Sequence, residues 1–467
     1  MNTIDPAWAW DAYSPNAKTP WNLQRAGHLY RRAGFSAPWA VLQNTLKIGP
    51  EKAVDELLLP GIPSGNYDET TSEFLEKNAT RLNSGEEAAG WWLYRMLYGP
   101  HPLQEKISLF WHNHFATSYA KVLNVQYMVG QYRLINQHAL GKFDQLLQAM
   151  SKDPAMMIWL DTVESSKEKP NENYARELME LFSLGIGNYT EKDIREAAKS
   201  FTGWKIENDK FSYDEADHDE GQKTVFGKSG NFRGEDIVAM CLAKDACPKF
   251  LVRKMFRYLI SETMEPEDAL LAPLVKQFHD GYNAGRLVET ILRSNLFFSE
   301  NAYRNRIKSP VEYVLGMVRE TELTIGTVNP ALNLEENLAN LGQKVLHPPS
   351  VKGWDGGTNW LNGQTLLFRQ NFALELARKP RGYRQPANAY ALAKSNGINK
   401  VEEAVPFFLD LFLQGDVPEE TRKEITEYAR KAAKKPAPSY WDPAIVQEQN
   451  IVSVCHLVLA LPEYQLS

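Results

Sequence analysis

Along the 467 residues, apolar positions recur mainly at three- and four-residue spacing. This is the period of helices that bury one face. Residues 20–35 form one such stretch, with Ala26, Leu29, Tyr30 and Ala33 in register. Residues 38–46 and 51–59 follow, the second stopped by Pro60 and Gly61, before a polar linker at 65–72. Ser84 opens a helix through Trp91, Trp92 and Met96 that ends at Gly99 and Pro100. Further helices are expected over 103–115, 122–137 and 143–151. A charged loop (162–171) leads to a helix at 172–184, halted by Gly185 and Gly187. Thr190 with Asp193 has the spacing of a capping box for a helix at 191–201.

Residues 205–236 break this rhythm. They are rich in Asp, Gly and Lys and read as a long ordered loop or a small β-hairpin. Helical spacing resumes near Asp236 and recurs at 250–261, 271–281, 287–294, 311–320, 335–341 and 366–377. A Gly-, Pro- and Trp-rich loop at 347–362 interrupts it, and 379–388 reads as a linker. The expected fold class is all-α: a large multi-helix assembly with long ordered loops and at most a small β-hairpin. Its expected parts are an N-terminal extension (1–20), a helical core (21–205), a polar loop (206–235), a second helical region (236–378) and a C-terminal helical region (379–467).

Composition changes this picture little. Hydrophobic residues make up 43% and charged residues 24%, so the chain can bury a large core. Twelve Trp, 20 Tyr and 20 Phe point to helices packed through rings. Net charge is −6 with no long basic block, which argues against nucleic acid. The densest basic stripe, Lys249, Arg253, Lys254 and Arg257, reads as a solvated helix face. Cys241, Cys247 and Cys455 lack disulfide or zinc spacing. No apolar run approaches the ~20 residues of a membrane span. The first residues are not those of a secretory signal, so the chain as given reads as cytoplasmic, with export left open.

Candidate chemistry concentrates in four places. On the helix at 172–184, Glu172, Arg176 and Glu180 share one stripe, and Asn173 and Glu177 lie at the edge of the apolar face. Glu177 and Glu180, three apart, can present two carboxylates to one point, as a metal or an acid/base pair requires. The competing reading is a set of surface ion pairs. In Phe110-Trp-His-Asn-His-Phe115, His112 and His114 project about 200° apart on a continuous helix. A buried imidazole there needs a partner, and a carboxylate such as Glu177 would serve. His218, Asp219 and Lys223 lie close together in the long loop and could close over a site. His347 and Trp354 are held among prolines and a glycine, with Trp360 following, and Thr202-Gly-Trp204 ends another helix; tryptophan plugs over helix ends are the alternative.

These stretches carry a resemblance. His28-Leu-Tyr-Arg-Arg-Ala-Gly-Phe35, the segments 109–118 and 172–181, Phe201-Thr-Gly-Trp204, the segment 218–223, Lys308-Ser-Pro-Val-Glu312 and the loop 347–354 run in order along the chain. Together they resemble the bacterial family catalogued as domain of unknown function 1800. Ser36 departs from the Gly that relatives often show there. The resemblance implies no known activity. It does imply genes paired with an exported partner similar to sulfatases and alkaline phosphatases. Polar signatures on separate elements are also more easily explained by one shared site.

The expected site places His112, His114, Glu177 and Glu180 at its centre, Arg176 on an anionic group, and His218, Asp219 and Lys223 on a covering loop. A divalent metal would be held by His114, Glu177 and His218. Asn173, Trp204, His347 and Trp354 would contact substrate. Hydrolysis or group transfer on a polar substrate would be the reaction. The alternative is a non-catalytic binding or accessory protein whose Trp-rich loops meet the phosphatase-like partner. A weaker one is a sugar-binding surface of Trp204, Trp354 and Trp360.

Overall fold

Helical spacing in the sequence becomes helix almost throughout. The computed structural model describes residues 4–59, 61, 67–323, 329–378, 388–434 and 442–467. Among them are 23 α-helices and two small antiparallel hairpins. The expected linker at 379–388 lies outside the described residues except for Asn388.

Seven helices frame the polar sites: α1 (Leu23–Ala33), α2 (Gly85–Tyr98), α3 (Pro102–Phe115), α4 (Val125–His138), α5 (Asn173–Glu177), α6 (Ala246–Leu259) and α7 (Pro310–Glu320). Their starts reflect capping chemistry. Asn22, Ser84 and Asn124 each accept a backbone N–H of the first turn, and Ser309 with Glu312 closes a reciprocal box at α7. The box predicted at Thr190 and Asp193 is present too. Residues 38–46 and 51–59 join as Trp39–Leu58, kinked where Gly49 takes φ +83°.

The hydrophobic residues collect in two clusters. One draws on residues 9–302 and contains Trp111, Phe143, Tyr174, Trp204 and Phe256. The other contains Trp92, Tyr94, Tyr313, Phe408 and Tyr464, and most of its residues lie in 75–132 and 311–464. Helix α3 serves both. Leu103, Ile107, Phe110, Trp111 and Phe115 face the first cluster, and Leu109 faces the second. Each such large apolar side chain contributes about 1.5–3 kcal/mol on burial. They fix α3, and with it the polar residues at its C-terminal end, between the two clusters.

Three local structures differ from expectation. The helix at 172–184 is a short α-turn, α5, continued by a π-helical turn over Leu178–Ser183. Leu184 N–H bonds back to the Met179 carbonyl, five residues away, and Ser183 Oγ donates to the Leu178 carbonyl. The turn buries Leu178, Met179, Phe182 and Ser183. The segment read as a loop or one hairpin holds two: β1 (Trp204–Glu207) with β2 (Lys210–Tyr213), and β3 (Lys223–Val225) with β4 (Lys228–Gly230). Asn208 and Asp209 at one tip, and Phe226 and Gly227 at the other, all take positive φ, as tight two-residue hairpin turns require. Finally, the basic stripe on α6 is not wholly solvated. Lys254 is partly buried and donates to His114.

Candidate functional site

The end of α3 separates its two imidazoles. His112 is 2% exposed, packed edge-on to Trp92 (5.2 Å) and tilted on Trp354 (5.8 Å). Its Nε2 is buried without a hydrogen-bond partner. Burial pushes its pKa down to about 3, and nearby His347 adds to the effect, so the ring is neutral. His114 faces the other way. Its Nε2 donates to the Phe182 carbonyl (3.1 Å), which leaves Nδ1 to accept from Lys254 Nζ (2.9 Å). Burial, and then Lys254, hold His114 well below the usual histidine range, and burial lowers Lys254 to about 8. The expected His114–Glu177 pairing is therefore replaced: a backbone carbonyl and a lysine already occupy both ring nitrogens.

Between the two histidines, Asn113 docks the 347–354 loop. Its Oδ1 accepts from Trp354 N–H (2.7 Å), and its Nδ2 donates to the Trp354 carbonyl (3.3 Å). Gly353, at φ +79°, lies so close that a Cβ there would sit 2.2 Å from Asn113 Oδ1. Only glycine fits both the dihedral and the contact. His347 is partly buried at the loop's start; its Nδ1 lies 3.1 Å from the Val345 carbonyl and its ring packs on Tyr119.

Lys352 of the same loop acts electrostatically on one of the carboxylates, Glu177. Glu177 ends α5 at the entry to the π turn and is partly buried. Among the described residues its carboxylate makes no hydrogen bond or ion pair. Burial raises its pKa, neighbouring Glu180 raises it further, and Arg176 and Lys352 pull it back. Glu180 accepts from Tyr189 OH (2.6 Å). Arg176 is committed: it holds Glu191 with both guanidinium nitrogens at 2.8 Å and Glu172 at 3.2 Å. Asn173 is exposed and donates to Asp161 (3.2 Å). Lys352, one residue before Gly353, has no ion pair among the described residues.

His218, Asp219 and Lys223 form a network of their own around Thr202. His218 Nδ1 lies 2.9 Å from the Thr202 carbonyl, and Thr202 Oγ1 accepts from Asp219 N–H (2.8 Å). Lys223, fully buried, donates to the Asp219 carbonyl and to Asn231 Oδ1 (3.0 Å). His218 Nε2 is left without a partner. Trp204 is 1% exposed and stands edge-on to Phe201 and Phe211. Among the described residues no three or more His, Cys, Asp or Glu side chains are arranged to hold a metal ion, and His114, Glu177 and His218 are not such a group.

The structure thus brings His112, His347 and Trp354 to one loop, and Lys352 of that loop acts electrostatically on Glu177. It does not bring His114 or the His218 network to that loop. Sequence reasoning passed over Asn113, Lys352 and Lys254. The visible signal for Asn113 was its place between two histidines. A glycine-tryptophan loop far along the chain also needs a partner for its backbone.

No described helix is long and apolar enough to cross a membrane. Neither curated proteins nor solved structures give a match to this chain. The model of one family, described as Protein of unknown function (DUF1800), matches residues 28–466, nearly the whole chain. This span takes in α1, the end of α3, the π turn and the docked loop, and the chain belongs to that family.

Proposed function

We propose that this protein is an enzyme carrying out hydrolysis or group transfer on a polar, anionic substrate where the π turn meets the 347–354 loop. The observation that supports this is Glu177: a partly buried carboxylate, unpartnered among the described residues, with its pKa raised by burial and by Glu180. A carboxyl raised above its ordinary pKa and left without a partner suits proton transfer. Arg176 is occupied by two glutamates, so Lys352 is the cation left to meet an anionic group. Asn113 and Gly353 set the position of Lys352, and His112, neutral and enclosed, supports Trp354 from behind.

The test is Glu177→Gln, assayed on phosphate, sulfate and carboxylic esters alongside its melting temperature. General acid–base roles are worth about 10²–10⁴-fold, so turnover by the parent should fall at least 100-fold. The fold should not weaken. A carboxyl whose folded pKa is raised loses stability as pH rises through that value, and the amide avoids the loss. The variant should therefore melt no lower than the parent at pH 7, and the two should converge near pH 4. Unchanged turnover would end the reading. A parent with no turnover, and a variant that melts lower, would favour the accessory protein, whose partner a pulldown would then seek.

A further inference from the structure

A polar cavity lies between α1, residues 298–303 and Asp416. Its volume is about 190 Å³, and Gln24, Arg25, His28, Glu300, Tyr303 and Asp416 line it along with Phe298. His28 is 1% exposed. Its ring is committed on one side only: Nε2 lies 2.9 Å from the Phe297 carbonyl. A carbonyl only accepts, so Nε2 carries the hydrogen and Nδ1 presents a lone pair. That Nδ1 is buried and has no partner, while the Tyr303 hydroxyl stands beside Arg31 and Asp416. Buried polar atoms are nearly always satisfied, and an unpartnered ring nitrogen at a polar cavity points to something that fills it.

The surrounding charges select the chemistry. Burial, and after it Arg32, Arg31 and Arg25, favour the neutral form of His28. Arg31 is itself buried, stands over the Tyr303 ring at 5.7 Å, and donates to Gln414. An ammonium group would be repelled by these three guanidiniums. A phosphate or carboxylate would turn lone pairs toward the lone pair of Nδ1, and Glu300 and Asp416 would oppose its entry. A hydroxyl meets both demands. It donates to Nδ1 and accepts from a guanidinium or phenol. Glu300 and Asp416 can accept from further hydroxyls, and the Phe298 and Tyr303 rings offer apolar faces to the carbons between them.

We propose that this cavity binds a small neutral polyhydroxylated molecule, between a polyol and a monosaccharide in size, with His28 Nδ1 as the acceptor for one of its hydroxyls. This site shares no residue with the one built on Glu177, and either reading can fail without the other.

The test is ligand-observed NMR and calorimetry on the full chain with glycerol, myo-inositol and glucose. Methylamine and inorganic phosphate serve as charged probes. At least one neutral polyol should bind saturably, and the charged probes should not compete with it. His28→Gln keeps a donor for the Phe297 carbonyl but removes the Nδ1 acceptor, and Tyr303→Phe removes only the hydroxyl. Each should weaken binding about tenfold, as the loss of one hydrogen bond implies. Histidine ring ¹⁵N spectra give a readout that does not depend on the variants: polyol should shift the acceptor nitrogen of His28. Absence of binding by all three polyols would overturn the proposal. So would equal binding by the parent and the folded variants, or displacement by methylamine or phosphate.

Discussion

Lys308, from the Lys308-Ser-Pro-Val-Glu312 stretch, allows a quantitative test of how this fold carries charge. The side chain is 2% exposed, and its Nζ sits 3.4 Å from the centre of the Tyr464 ring. Burial drives its pKa from 10.5 to about 7; Glu320 opposes the fall, while Arg31, Arg304 and Arg369 deepen it. At about 1.4 kcal/mol per tenfold, that displacement equals about 5 kcal/mol of native stability lost whenever the amine is charged in both states. The sign comes from proton binding. Between about pH 7 and 10.5 the unfolded chain holds a proton that the native chain lacks, so stability rises with pH across that window. Lys308→Met keeps most of the volume and removes the charge, while Glu320 retains the hydroxyls of Ser36 and Tyr464 as donors. Lost attraction to Tyr464 offsets part of the gain, about 1–2 kcal/mol. In urea titrations the variant should exceed the parent by roughly 3 kcal/mol at pH 6. The difference should shrink steadily above pH 7 and vanish or reverse by pH 10.5. Subtracting the two curves cancels the titrating groups that Lys308 does not touch; Glu320, which Lys308 holds down, is the exception. A difference that is flat with pH, or a variant weaker than the parent at pH 6, would refute the reasoning.

Gly353→Ala should undock the 347–354 loop, because its Cβ would meet Asn113 Oδ1 at 2.2 Å in a left-handed backbone. The expected loss is about 2–4 kcal/mol, with a red shift in Trp354 emission; native emission with a native melting temperature would contradict it. Asn113→Ala keeps the glycine but strands the Trp354 N–H, at a cost of about 1–3 kcal/mol, and should release the same loop by a different route. Asp153 is buried, accepts from Gln131 and from Met156 N–H, and is pushed up to about 6, chiefly by burial. Its folded pKa lies above the ordinary 3.8, so the parent loses about 3 kcal/mol as pH rises from 4 to 6. Asp153→Asn should abolish that slope, and melting curves across this range decide the matter.

The helices were legible because burial on one face writes itself into the spacing of apolar residues. Ala26, Leu29, Tyr30 and Ala33 lie on α1 as their spacing requires. The divergence of His112 and His114 was readable from helix geometry alone, and their rings do meet different neighbours. The π turn was not legible. Its apolar positions Leu178, Met179 and Phe182 fit an ordinary α-helical stripe, so nothing in their spacing marks the wider turn. Partners far apart along the chain were hidden as well. Lys254 looked solvated until His114, 140 positions away, supplied an acceptor. The burial of Arg31 and Arg32 was equally hidden, because charged residues ordinarily stay in water and only the surrounding fold reveals the exception.

The position of α3 between the two apolar clusters has a consequence for synthesis. Roughly 200 residues separate the end of α3 from Pro310, where α7 begins. At about 5–20 residues per second, the emerging chain waits about 10–40 s before it can cover the outward side of that helix. Leu109 lacks the part of its cluster contributed by residues 311–464 through that interval. Slow translation upstream of Pro310, or scarcity of a holding chaperone, would thus lower the yield of native protein without altering its final stability.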